Sequence, residues 1–456
     1  MGSTIPFPNT IEKILGWKIE PFIVEVMNTD RIMPRSGANT SLTDKLALLV
    51  GCGSVGSELA DKLGASGIGY LDIMDPDHFS VSNIYRHTLD QNFINHPKSA
   101  SVAWHLTQKY PWIKSQRYTD YLLGLRSEKL LSKYDLIIIA IGSPTHERLF
   151  HEYISLSGAK TPVIYTWLEG YGVGGHAVLD VPSGKGCLRC AYVDTETGKR
   201  GLGSNLNFLQ SDQNIVKNYA GCGEMFLPYG AISSTQTALI AADLAINFLE
   251  GHITESVKTS WKGDRSSAEA EGLTLTRRYE NFNASLQKQP LYHPLSDICT
   301  PKEVITYQHE NIRLCIPLAV LDQLSAHKQN TSSMPEAAGL LIGYIKADGD
   351  VWIDRLTTPK ATDIRQRSYF KLDAKLHQKE VDECFDGSDG VLGYLGTWHT
   401  HPQSIPVPSK LDVVDWKTHD QQNMERQLFF IVVGLDKTSV YTIVNNQTVE
   451  LLPLEE

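Results

Sequence analysis

From residue 45 to residue 167 the chain repeats one pattern: a short apolar run, a stretch of helical period, then another apolar run. Few folds accept it. Leu46–Val50, Tyr70–Met74, 136–141 and 163–167 read as strands buried on both faces. Residues 55–63, 99–109 and 145–155 read as the helices between them. Strand and helix in alternation imply βαβ units and a doubly wound parallel sheet, an α/β fold. A longer helix over 232–249, its first half rich in Ala, Ser and Thr, closes this unit. At 456 residues the chain exceeds what one hydrophobic core organises. Its texture divides it into an N-terminal extension (1–43), the doubly wound unit (44–251), a polar linker or peripheral segment (252–303) and a second globular unit (304–456). In the extension only residues 11–17 carry a weak amphipathic period. The last unit shows a helix near 317–324 and strands near 337–345, Val351–Leu356, 393–398, 427–433 and 440–444.

Composition excludes several function classes. A net charge of −10 argues against phosphate-driven binding of nucleic acid. No run of apolar residues is long enough for a membrane span. The first residues lack the basic and apolar regions of a secretory signal, and Pro6 stands where a myristoylation signal needs Ser or Thr. Seven cysteines, an odd number, suit reduced thiols in a cytoplasmic protein, with metal or catalytic use.

Gly51-Cys-Gly53-Ser-Val-Gly56 follows the first strand and opens a helix. Such glycines permit a tight turn and close backbone approach to a phosphate, whose charge meets the helix N-terminus. Asp75, at the end of the next strand, is placed to accept from a ribose hydroxyl. Alone, this is a Rossmann fingerprint with NAD as the default ligand. The residues that follow argue otherwise. Asp77, Asn83, Arg86 and Lys98 bring two cations and an amide near the phosphates, which a hydride-transfer site does not require and a site for an α-phosphate transition state does. The string D-x-D, S-N-x-x-R and a following Lys resembles the ThiF/MoeB adenylating enzymes that activate ubiquitin and sulfur-carrier proteins. The resemblance implies ATP with Mg²⁺, Asp75 on the ribose, and Asn83, Arg86 and Lys98 on the triphosphate. It also implies a homodimer, with Arg31 or Arg35 as an arginine delivered across it. One position departs: Ser143 stands where the family places its metal-holding Asp, so that either Asp77 or Glu147 carries the magnesium or adenylation is impaired.

A second chemistry lies near the C-terminus. His399 and His401 directly follow an apolar strand and, two apart on an extended segment, point to one side. Asp412 returns after a proline-punctuated loop as a third ligand. Two imidazoles and a carboxylate leave one tetrahedral position open, which defines a catalytic rather than a structural zinc site. A nearby carboxylate must then move protons, and Glu336 is the candidate, with Ser409 as a donor to an oxyanion. The string His-x-His, Ser409, Asp412, with Glu336 upstream, resembles the JAMM motif of the JAB/MPN metalloproteases. That resemblance covers residues 304–450 and implies cleavage of peptide or isopeptide bonds at ubiquitin-like tails.

Cys222, on a Gly-flanked loop before the closing helix, sits where thioester-forming relatives of the adenylating family carry their catalytic Cys; an inert packing role is the alternative. Cys187-Leu-Arg-Cys190 resembles half of that family's structural zinc site. Cys299 and His293 stand where the other half is expected, with Ser296 in place of a Cys, so a second zinc and no metal both remain open.

Together the resemblances imply a bifunctional enzyme: ATP-dependent adenylation of a ubiquitin-like C-terminal glycine, thioester formation on Cys222, and zinc-dependent cleavage at the same tail. The partner would be a ubiquitin-like protein, with or without a conjugating enzyme. Two alternatives are a sulfur carrier activated for thiocarboxylate chemistry, and an impaired adenylation unit that serves the protease as a substrate scaffold.

Overall fold

The computed structural model describes residues 26–454 except 126, 183–184, 195–199, 202, 219–224, 284–285, 297, 300–302, 347–348 and 389. The weak helix expected over 11–17 lies outside them, as does Cys222. The first unit is an eight-stranded sheet in the order Leu286–Pro290, Val257–Lys262, Gly174–Asp180, Val163–Leu168, Leu136–Ile139, Leu46–Val50, Tyr70–Met74, Arg117–Tyr118. The five strands from Val163–Leu168 onward are parallel. Leu46–Val50 and Leu136–Ile139 lie at its centre, buried along nearly their whole length, which is why their sequences are unbroken apolar runs. The strand order reverses at Leu46–Val50, and the glycine turn and the helix Ser54–Ser66 emerge at its carboxyl end. That crevice is where doubly wound sheets bind ligands.

The closing helix, Ala231–Leu249, packs against Ser54–Ser66. Its alanines 238, 241 and 245 share a core with Leu59 and Leu63, and these small side chains let the two backbones approach. Its polar start is also used: Thr237 Oγ1 accepts the Trp261 indole N–H at 3.0 Å.

Of the two readings of 252–303, linker or peripheral segment, the described residues follow the second. Val257–Lys262 and Leu286–Pro290 extend the sheet as antiparallel edge strands, the first on Gly174–Asp180. The sequence hides this because the strand is held by polar groups rather than an apolar run. Ser260 Oγ meets His176 Nδ1 at 2.8 Å, and Lys262 Nζ donates to the carbonyls of Tyr279 and Phe282. The described end of the extension is also part of this unit, with Met33 and Leu42 buried and Asn39 N–H bonded to Ser66 O.

The second unit is a closed barrel of Val304–His309, Ile312–Pro317, Val351–Leu356, Ala338–Ile345, Gly393–Thr400, Phe429–Val433, Thr438–Val444 and Gln447–Pro453. A short hairpin, Ile364–Gln366 with Tyr369–Lys371, and the helices Ala374–Gly387 and Lys410–Gln422 decorate it. Ala338 stands opposite His399 in the antiparallel pair of central strands. Gly339 must be glycine there, since a Cβ would lie 2.1 Å from Thr357 O.

Candidate functional site

Strand register builds the candidate metal centre. Thr400 N–H donates to Ala337 O and Ala337 N–H to Thr400 Oγ1, both at 2.9 Å, so Glu336 emerges beside the two histidines. His401 is held in turn by its N–H on Val433 O at 2.9 Å. The imidazole Nε2 atoms of His399 and His401 lie 3.2 Å apart. Asp412 completes the set, Oδ1 at 3.6 Å from His399 Nε2 and Oδ2 at 3.6 Å from His401 Nε2. Donors bound at 2.0–2.1 Å around a tetrahedral zinc stand about 3.3 Å from one another, so these spacings fit the ion.

Asp412 arrives because Ser409 caps the helix Lys410–Gln422. Ser409 Oγ accepts the Asp412 N–H at 3.2 Å, and Asp412 Oδ2 accepts the Ser409 N–H at 2.6 Å. Ser409 is thus first a positioning residue, and its hydroxyl proton is left over from the cap. Burial would raise the Asp412 pKa, but His399 and Ser409 outweigh it and hold the carboxyl at about 2. Glu336 is 4% exposed with Oε1 3.9 Å from His401 Nε2, and its carboxylate groups with the two imidazoles, all within 4.8 Å of one another. Burial first, and the Asp412 charge second, push it up to about 8. Sequence reasoning missed the hairpin beside it. Glu336 N–H donates to Gln366 O and Arg365 Nε to Glu336 O, each at 2.7 Å, while the Phe370 ring lies 5.6 Å from that of His399. Its three-residue strands are too short to leave a periodic signal.

At the crevice of the first unit, Gly51 has φ +87°, and a Cβ on Gly56 would stand 1.9 Å from Gly51 O. Both therefore require glycine. Asp75 organises the turn: Oδ2 accepts the Cys52 N–H at 2.8 Å and Oδ1 the Asp77 N–H at 2.9 Å. Lys98, largely buried, reaches Asp77 at 3.0 Å. Asn83 Oδ1 accepts from Ser80 N–H and Oγ, capping its own turn. Arg86 stacks on Tyr229, 4.4 Å from the ring centroid, and Tyr229 Oη lies 2.8 Å from Ser54 Oγ. Residues after 224 thereby reach the start of the helix Ser54–Ser66. Arg31 and Arg35 lie exposed on Thr29–Arg35.

His87 was also missed. Its Nε2–H donates to Cys52 O at 2.7 Å while Nδ1 accepts the Leu89 N–H at 3.1 Å, which fixes the neutral tautomer. Burial brings its pKa down to about 4. Ser143 Oγ pairs with His146 Nδ1 at 2.7 Å. Glu147 turns inward, 1% exposed, accepting the Ser143 N–H at 3.1 Å, and burial raises it to about 7. Of the two carboxylates expected to replace the missing aspartate, Asp77 is the one left open to solvent.

Beside Tyr229 lies a cleft of about 460 Å³ walled by Tyr171, Gly172, Gly230 and the Lys217–Glu271 ion pair. Tyr171 holds φ +59° there, its N–H on Pro228 O at 2.6 Å. The three thiols also meet: Cys299 Sγ lies 3.4 Å from Cys187 Sγ and 3.6 Å from Cys190 Sγ. His293 lies in the same region, its Nδ1 accepting the Leu295 N–H at 3.2 Å.

A doubly wound unit with a phosphate turn, followed by a barrel with a two-histidine, one-carboxylate centre, defines a fusion of an adenylating-type and a hydrolase-type unit. The sequence profile of the ThiF family matches residues 31–284, more than half of the chain, and that of prokaryotic homologs of the JAB domain matches residues 317–448. The chain belongs to the ThiF family and carries a JAB-homologous domain behind it. It is 30% identical over 216 residues to the ATP-dependent ubiquitin transferase-like protein Cap2 of Vibrio cholerae, covering 46% of this chain and 36% of that protein. To the CD-NTase/cGAS isopeptidase of the same organism it is 35% identical over 115 residues, covering 25% of this chain and 72% of that protein. To the adenylyltransferase and sulfurtransferase UBA4 of Lodderomyces elongisporus it is 28% identical over 165 residues, 35% of this chain and 36% of that protein. The chain thus spans little more than a third of the Cap2 protein it matches. Among the described residues, no helix is long and apolar enough to cross a membrane.

Proposed function

We propose that the chain acts at both ends of one bond: it activates the C-terminal glycine of a ubiquitin-like protein and hydrolyses amide bonds formed at that tail. The observation that carries this reading is the closely spaced trio of His399, His401 and Asp412 with a buried Glu336 beside it. Zinc held by the trio would polarise the scissile carbonyl and acidify a water. Glu336, buried beside His401, takes a proton from water and returns it to the departing amine. Ser409 donates a hydrogen bond from its hydroxyl to the developing oxyanion.

In the first unit Gly51, Gly53 and Gly56 admit the phosphates, Asp75 keeps the turn in shape and reaches the ribose, and Arg86, Asn83 and Lys98 face the triphosphate. Asp77 is the carboxylate available to magnesium. The tail carboxylate attacks the α-phosphate, giving an acyl adenylate and pyrophosphate, and the cleft beside Tyr229 receives the extended tail. Cys222 then takes the acyl group as a thioester with release of AMP. The names of the Cap2 and isopeptidase relatives support this pairing of activities.

Ser143 favours a second reading, an adenylation unit that only presents the tail to the protease, because its hydroxyl is paired to His146 and Glu147 is buried. ATP–pyrophosphate exchange that depends on a diglycine-ended ubiquitin-like protein separates the two. Exchange supports activation, and its absence together with retained isopeptidase activity supports the scaffold. Incorporation of sulfide into the tail, rather than transfer to a conjugating enzyme, would point to a sulfur carrier.

A further inference from the structure

The stretch 327–329 takes no part in the chemistry described above, yet it reaches three segments around the candidate metal centre. It follows the helix Leu318–Ser325, whose Val320 and Leu324 are buried in the barrel core. Its own side chains hold it in place. The His327 ring lies 5.2 Å from that of Trp398, the residue before His399, and Lys328 Nζ donates to Leu435 O at 2.8 Å.

Gln329, 2% exposed, turns its amide into the gap between the three segments. Nε2 donates to Met334 O at 3.2 Å and to Arg367 O at 2.8 Å. Oε1 accepts from Thr400 Oγ1 at 3.4 Å. Its neighbours fix this orientation, because a flipped amide would set its oxygen against two carbonyls. Met334 lies two residues before Glu336, and Thr400 stands between the two histidines. Arg367 follows Gln366, whose carbonyl takes the Glu336 N–H. One buried side chain thus ties together the approach to Glu336, the hairpin beside it and the strand that carries His399 and His401.

We propose that Gln329 is a positioning residue for hydrolysis, holding the Glu336 segment in register with the two histidines. The proposal rests on the reading of Glu336 as the proton carrier. A carboxylate that must reach a water and then a leaving amine tolerates little displacement, and an error of about 1 Å costs about a hundredfold in rate. Without the two amide donors, the segments on either side of Glu336 lose their common anchor.

The test uses the full chain, with and without zinc chloride, and two variants. Gln329→Met fills the same space without an amide, and Gln329→Glu keeps an oxygen for Thr400 but brings at most one proton for the two carbonyls. Each is expected to fold cooperatively and to bind as much zinc as wild type. KM for a ubiquitin-like protein in isopeptide linkage to lysine should stay within about twofold, while kcat falls by about 10–100-fold. Amide hydrogen exchange over 334–337, read by mass spectrometry on the zinc-free protein, should quicken by about tenfold, the equivalent of one hydrogen bond, while the strand Phe429–Val433 stays protected. Arg367→Ala, which removes only an exposed bond to Thr331 O, should match wild type in both readouts. Wild-type kcat in either zinc-loaded variant, loss of zinc in both, or unchanged exchange over 334–337 would overturn the proposal, as would an equal loss of kcat in Arg367→Ala. Glu336→Gln is assayed alongside. If it kept full activity the proton-carrier reading would fail, and exchange would still decide whether Gln329 holds the segment.

Discussion

Glu147→Gln isolates a carboxyl of the first unit whose pKa burial raises. Glu147 is 1% exposed and its pKa stands at about 7, against roughly 4.3 in an unfolded chain. A shift of that size corresponds to about 3–4 kcal/mol, at 1.36 kcal/mol per unit. Because the folded pKa is raised, the native state binds the proton more tightly, so this contribution is fully present below the unfolded pKa. It is lost as pH climbs through 7. Glutamine keeps an oxygen for the Ser143 N–H and never ionises. Urea unfolding of both proteins at half-unit steps from pH 4 to pH 8.5 should show the stability of the variant relative to wild type rising by about 3 kcal/mol across that range. Parallel curves would refute the reasoning. They would mean that Glu147 is ionised at little cost, and it would again be a candidate for the magnesium.

Three other consequences follow from the same geometry. His87 titrates in the opposite sense: its folded pKa of about 4 lies below the unfolded value, so wild type loses about 3 kcal/mol as pH falls from 6.5 to 4. His87→Gln should flatten that acid limb in the same urea series. Ser409→Ala should lower stability by about 1 kcal/mol through loss of the helix cap, and should reduce kcat with little change in KM. Gly56→Ala should abolish ATP binding measured by calorimetry while leaving zinc content and hydrolysis intact, since the methyl would collide with Gly51 O and not with the barrel.

Much of both sites is legible in the sequence because their chemistry is written in short strings. Phosphate approach needs glycine at fixed offsets, and a two-histidine centre at a strand end needs an i, i+2 spacing. What the strings omit is whatever long-range packing supplies. Tyr229 reaches Arg86 and Ser54 from residues far along the chain. His87 follows the S-N-x-x-R string directly, yet its bond to Cys52 O depends on how the loop folds back. The strand Val257–Lys262 is concealed by its polar side chains, which find partners only in the folded sheet. The family resemblance left a grouping of Cys187, Cys190 and Cys299 open, and their position between two cores was not legible because it depends on where Leu291 and Leu295 are buried.

The central claim rests on Glu336 moving a proton beside a metal held by His399, His401 and Asp412. Glu336→Gln tests it most directly, with zinc content and hydrolysis of a ubiquitin-like protein in isopeptide linkage to lysine measured on the same preparation. The variant should keep its zinc and lose activity by about two to four orders of magnitude, the range of general acid–base catalysis. Full activity in a zinc-loaded Glu336→Gln protein would contradict the account.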